Sequence, residues 1–109
     1  MKRFEVVLAD VALSDIVGID AWLTEQEGVE AADRVVEALF TSIESLTSYP
    51  DRGSVLPEFE GIVFPLYRQH IERGYRIVYR CTDDRVYVLA ILHQRRDLQS
   101  AIRTRLIDT

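Results

Sequence analysis

In the stretch "PLYRQHIERG", Arg68 and His70 stand two residues apart, a spacing that puts a guanidinium and an imidazole on the same side of an extended strand. The next apolar run, "GYRIVYR", alternates Tyr75, Ile77 and Tyr79 with Arg76, Val78 and Arg80. If the aromatic and aliphatic set of that run packs inward, the expectation is an open sheet face carrying Arg68, His70, Arg76 and Arg80. The stretch "LHQRRDL" at 92–98 adds His93, Arg95, Arg96 and Asp97, which could close the same surface. A basin of this kind suits phosphate chemistry. Histidine can move the protons of a phosphodiester cleavage, and arginines can hold the charge on the non-bridging oxygens without a metal.

Each of these residues also has a plainer reading. Arginines on a strand can be a solvated sheet surface, and His70 can be a hydrogen-bonded structural residue. His93, at a strand end, can orient the turn that follows. Asp97 can pair with Arg95 or Arg96 and cap a helix. Cys81 lies in an apolar run, where a buried inert thiol is the usual outcome. One cysteine excludes an internal disulfide, and two histidines with one cysteine match no short metal-ligand spacing. No metal and no cofactor are expected.

The elements that must position these residues follow from periodicity. "RFEVVL" at 3–8 reads as a first strand. Ala12, Ile16, Ile19 and Leu23 then recur at helical spacing, with acids on the other side. After Gly28 a second stripe, Ala32, Val36, Leu39, Ile43 and Leu46, runs to the "YPDRG" stretch. So short a connection predicts an antiparallel helical hairpin over 10–49. The pattern then changes to period two, with strands at 66–72, 75–81 and 86–93 forming an antiparallel meander. Leu98, Ile102 and Leu106 predict a short C-terminal helix. The fold class is α+β, a single domain over 1–109, with the hairpin on one face of the sheet.

Composition narrows the function. At 109 residues, 48% hydrophobic and 28% charged, the chain fits one globular domain. No run approaches the length of a membrane span, and "MKRFEVVLAD" lacks the apolar region of a signal peptide, so a cytoplasmic protein is expected. The net charge of −5 is unevenly divided: residues 1–65 carry −9 and residues 66–109 carry +4, the latter with arginine as its only basic side chain. Arginine's planar fork suits phosphate and carboxylate, so an anionic or nucleic-acid-associated partner is expected for the C-terminal half.

Four stretches in order, "EAADRVVEALFTSIESLTSYPDRG", "GYRIVYR", "DDRVYVLAILH" and "RRDL", resemble the RelE/ParE superfamily of toxins from bacterial toxin–antitoxin modules. The resemblance implies a toxin neutralised by a small antitoxin, ParD-like or similar, whose extended or helical tail wraps it. The long helical hairpin, the "YPDRG" turn and the "LHQRRDL" ending look more like the ParE branch. That branch implies growth inhibition and plasmid stabilisation through inhibition of DNA gyrase, with His93, Arg95, Arg96 and Asp97 binding the target. A RelE-like member would instead be a ribosome-dependent, metal-independent mRNA endoribonuclease, and its basic positions map onto Arg68, His70, Arg76 and Arg96. Two departures from that branch stand out. Arg68 and His70 replace a lysine pair, and the C-terminal tyrosine position falls near Ile102, with no tyrosine after Tyr87. A third possibility is an inactive chain retained as an antitoxin-binding module.

Overall fold

The computed structural model describes residues 3–56 and 67–95. Strand β1 (Glu5–Leu8) leads through Ala9 into helix α1 (Asp10–Glu27), and Gly28 alone separates α1 from α2 (Val29–Ser45). Gly28 has φ 97°, a left-handed conformation that glycine adopts without steric cost, so the chain reverses there as the sequence predicts. Regular helix ends at Ser45, earlier than the predicted 49, and the next residues tighten into bonds from Leu46 N–H to the Ile43 carbonyl and from Thr47 N–H to that of Glu44.

The remaining strands are β2 (Ser54–Val55), β3 (Tyr67–Glu72), β4 (Tyr75–Cys81) and β5 (Arg85–His93). They form a five-stranded sheet in the order β1-β5-β4-β3-β2. The meander β3-β4-β5 is antiparallel as predicted, whereas β1 joins it parallel to β5, with Leu8 opposite Val88. The helical hairpin carries the chain from β1 at one edge of the sheet to β2 at the other, and the strands that follow return across the sheet until β5 lies beside β1. The two-residue β2 was not anticipated in the loop after α2. The predicted C-terminal helix lies outside the described residues.

The β3–β4 turn decides which side chains share a face. Arg73 (φ 53°) and Gly74 (φ 83°) form a two-residue turn with both φ values positive, the type I′ geometry that matches strand twist. Glu72 therefore pairs with Tyr75, His70 with Ile77 and Arg68 with Tyr79, and directly opposed residues point the same way. These three pairs face the helices. Tyr67 with Arg80, Gln69 with Val78, and Ile71 with Arg76 face the opposite side.

Arginine in the left-handed region is strained where asparagine is tolerated. Arg73→Asn is expected to raise stability by about 0.5–1 kcal/mol, read as a higher urea midpoint. The exposed Arg73–Glu72 pair, at 3.9 Å, would be lost at little cost.

In β5, Val78 pairs with Ala90 but Tyr79 with Val88, so Leu89 is the extra residue of a bulge. The bulge lets Val86, Val88 and Ile91 all face the helices. There they join Ala12, Ile16, Leu39, Ile43, Leu46, Tyr75, Ile77 and Tyr79 in the main core. A second buried cluster, Leu56, Val78, Ala90 and Leu92 with Tyr67 against it, lies on the other side of the sheet.

Candidate functional site

The expected basin of Arg68, His70, Arg76 and Arg80 on one open face does not form. The sheet register sends Arg68 and His70 toward the helices and Arg76 and Arg80 to the opposite face. That opposite face is not open either, because Val78, Ala90 and Leu92 are buried on it and Gln69 is buried beside them. The proposed catalytic set therefore does not surround one point. Its fourth member, Arg96, lies outside the described residues.

Arg68 and its neighbours fasten the loop that follows α2. The Arg68 Nη1 donates to the Gly53 carbonyl at 2.8 Å, and Nη2 lies 3.9 Å from Asp51. The Tyr79 hydroxyl donates to the Pro50 carbonyl at 2.7 Å and accepts the Gly53 N–H at 3.0 Å. Arg52 donates to Ser45 Oγ at 2.6 Å, and Ser42 Oγ donates to the Glu72 carboxylate. Burial lifts the Tyr79 phenol above its ordinary pKa, so it remains a donor.

His70 stands inside this network with Nε2 buried and unpartnered. Burial first, and the Arg52 charge second, lower its pKa from the ordinary 6.5, against an opposing pull from Glu72. The folded chain thus binds the imidazole proton more weakly than the unfolded chain does. Stability is unaffected by this group well above pH 6.5 and falls as pH drops through that value. His70→Gln is expected to flatten that part of the pH–stability curve between about pH 7 and 5, measured by thermal melts.

The other sequence-predicted set comes together at the opposite end of the strands. The Gln94 N–H donates to the Gly74 carbonyl at 2.9 Å, and Arg76 Nη2 donates to the Gln94 carbonyl at 3.3 Å. His93 Nδ1 accepts the Arg95 N–H at 3.1 Å, and its ring meets Tyr75 edge-on at 5.6 Å. The β3–β4 turn and the start of "QRRD" are therefore one structural unit. His93, Gln94 and Arg95 are exposed, and Arg73 and Arg76 are carried on the same end of the sheet. His93 does orient the turn after β5, and this places it beside the cationic group as well. Asp97 lies outside the described residues. Arg80 is at the far end, its guanidinium 4.7 Å from the centroid of the Tyr87 ring.

One feature escaped the sequence reading. A cleft of about 470 Å³ separates α1 from the ends of β4 and β5, walled by Asp15, Gly18 and Trp22 on the helix and by Tyr75, Ile91 and His93 on the sheet. Trp22 is 57% exposed, a rim residue of this cleft and no part of the core. The available signal was its place one residue off the Ala12–Ile16–Ile19–Leu23 stripe. The Cys81 thiol, pushed up by burial, is not a thiolate nucleophile. Among the described residues no three His, Cys, Asp or Glu side chains converge as metal ligands.

A hairpin crossover, a short parallel β1 and a cationic end on an antiparallel meander can be compared with known families. A family model described as "ParE toxin of type II toxin-antitoxin system, parDE" matches residues 6–98. The chain belongs to the ParE toxin family. Among solved structures, it is similar to the "Chromosomal ParDE TA system from P. aeruginosa", with a TM-score of 0.69 and 18% identity over 84% of this chain and 96% of that one. At that identity the likeness shows a shared fold. No protein of curated function matches the sequence. The ParE branch of the resemblance is thus the correct one, and the antitoxin of a type II module is the partner this family membership supports.

Proposed function

We propose that this ParE-family toxin acts in the cytoplasm by binding DNA gyrase through the end of the sheet that carries Arg76, His93 and Arg95, with Arg96 and Asp97, next in the sequence, also contributing to target binding, and that a cognate antitoxin neutralises it. The observation that carries this reading is the joined turn unit. Gly74, Arg76, His93, Gln94 and Arg95 are tied by backbone and side-chain bonds, so the exposed Arg95 is presented on a supported turn with the half-buried Arg76 beneath it.

The same geometry weighs against the ribonuclease reading. A general base and the arginines that neutralise a phosphate must reach the same few ångströms. Arg68 and His70 face the helices while Arg76 faces away from them. No described helix is long and apolar enough to cross a membrane.

The test pairs two assays on the same antitoxin-free preparation: supercoiling by purified gyrase, and cleavage of mRNA on programmed ribosomes. Dose-dependent loss of supercoiling, relieved by antitoxin, with mRNA left intact, is the expected result. Cleavage of ribosome-bound mRNA with gyrase unaffected would overturn the reading. Silence in both assays would make the chain an inactive antitoxin-binding module.

A further inference from the structure

The turn between β3 and β4 holds an arginine where the backbone asks for something else. Glu72 pairs with Tyr75, so Arg73 and Gly74 are the whole connection, and both have positive φ. Glycine takes that conformation freely, and Asn-Gly is among the dipeptides that favour this turn most, because asparagine tolerates the left-handed region. Arg73, at φ 53°, is the one non-glycine residue with positive φ among the described residues. Its Cβ crowds the following carbonyl there, a strain that concentrates at functional positions.

The fold itself gains little from this arginine. The pair with Glu72 is 3.9 Å long and the Arg73 side chain is 53% exposed, which leaves an ion pair of this kind close to neutral for stability. The surface gains more. The Gly74 carbonyl accepts the Gln94 N–H and so fastens the turn to the segment that presents His93 and Arg95. Residue 73 therefore stands exposed at the end of the sheet that also carries Arg76 and Arg95.

We propose that Arg73 is a target-contacting residue, held in a strained turn because its guanidinium widens the cationic end and receives a carboxylate of the partner protein. The inference rests on the reading that this end of the sheet binds the target. What surrounds the turn favours a carboxylate over a nucleic-acid backbone. Glu72 lies beside Arg73, and Glu37 shares with it a cleft between α2 and the turn. Both helices carry an excess of acids. A polyanion laid across the turn meets those acids, whereas a single carboxylate on a folded surface engages the planar fork alone.

Arg73→Asn is the decisive variant, because strain and contact give it opposite signs: the turn improves while the guanidinium is lost. Arg73→Lys keeps a cation and keeps the strain. Both are compared with wild type, antitoxin-free, in urea unfolding and in supercoiling by purified gyrase. The same three proteins are compared in growth arrest after induction without antitoxin, at matched expression, and in the anisotropy of a labelled DNA duplex.

The expected result is a higher urea midpoint for Arg73→Asn together with about 10-fold weaker inhibition, while Arg73→Lys inhibits within about threefold of wild type. The duplex should respond alike to all three proteins. A more stable Arg73→Asn that inhibits as well as wild type, a midpoint that does not rise, or duplex binding that falls with Arg73→Asn would each overturn the proposal. A wild type that leaves gyrase untouched yet arrests growth ends the gyrase reading and not this one: the same order of potencies is then expected in growth arrest, and equal potencies there overturn it. A wild type inert in both assays overturns it outright.

Discussion

Gly53→Ala is expected to destabilise the fold by about 3–5 kcal/mol. An alanine Cβ at this position would lie 2.5 Å from the Gln69 carbonyl oxygen and 2.5 Å from the Tyr79 hydroxyl. The first obstacle is backbone of the paired strand β3 and cannot yield. Relieving the second means moving a hydroxyl that serves both the Pro50 carbonyl and the Gly53 N–H. Overpacking costs roughly 1–3 kcal/mol, and an orphaned buried backbone group about as much again. Tyr79→Phe removes the hydroxyl without the clash, and a loss of about 2 kcal/mol is expected. Because both substitutions act on the same contact, the double variant should lose less than the sum. Urea unfolding of the three variants measures all of this.

Reversing charge at the cationic end is the second large effect, and it falls on activity. Arg95→Glu with Arg96→Glu is expected to weaken gyrase inhibition by about 100-fold or more, since a like-charge contact replaces an attractive one. Arg95 is exposed, and the bond it makes within the turn unit is donated by its backbone N–H, so the substitution leaves that bond in place. The melting temperature should therefore hold while the dose–response curve moves. His70→Ala has the opposite profile: inhibition within about twofold of wild type, because the imidazole lies in the loop-fastening network on the helix side.

The helices and the meander were legible because burial imposes a period. Ala32, Leu39, Ile43 and Leu46 are all buried as the second stripe requires, and the β4 bounds at 75 and 81 match the predicted run. β3 carries a misleading signal: "YRQHIE" alternates Tyr67, Gln69 and Ile71 with Arg68, His70 and Glu72, which suggests an open charged face, whereas the register turns Arg68 and His70 toward the helices. The information was present in the turn. "RG" between two strands is a two-residue connection, and a two-residue connection pairs residue 72 with 75, which puts Arg68 and His70 with Tyr79 and Ile77.

The parallel placement of β1 was less accessible, since nothing in "RFEVVL" names its partner. It follows only once a hairpin must cross over the sheet and β5, apolar on both sides, must be central. The cleft escaped for a related reason. It depends on β1 being four residues long where β5 has nine, a mismatch of lengths that no local pattern encodes. By contrast, the grouping of His93 with Arg95 was readable from adjacency alone, and the bonds to Gly74 and Arg76 explain why that stretch is presented as a unit.

The most direct test of the account is a single supercoiling titration run with wild type, His70→Ala and the Arg95→Glu/Arg96→Glu pair, all antitoxin-free and with matched melting curves. Near-coincident curves for wild type and His70→Ala, with the charge-reversed protein displaced by about 100-fold or more, are the predicted result. A His70→Ala curve displaced as far as the charge-reversed one, or a charge-reversed curve that overlies wild type, would contradict the assignment of function to the β5 end of the sheet.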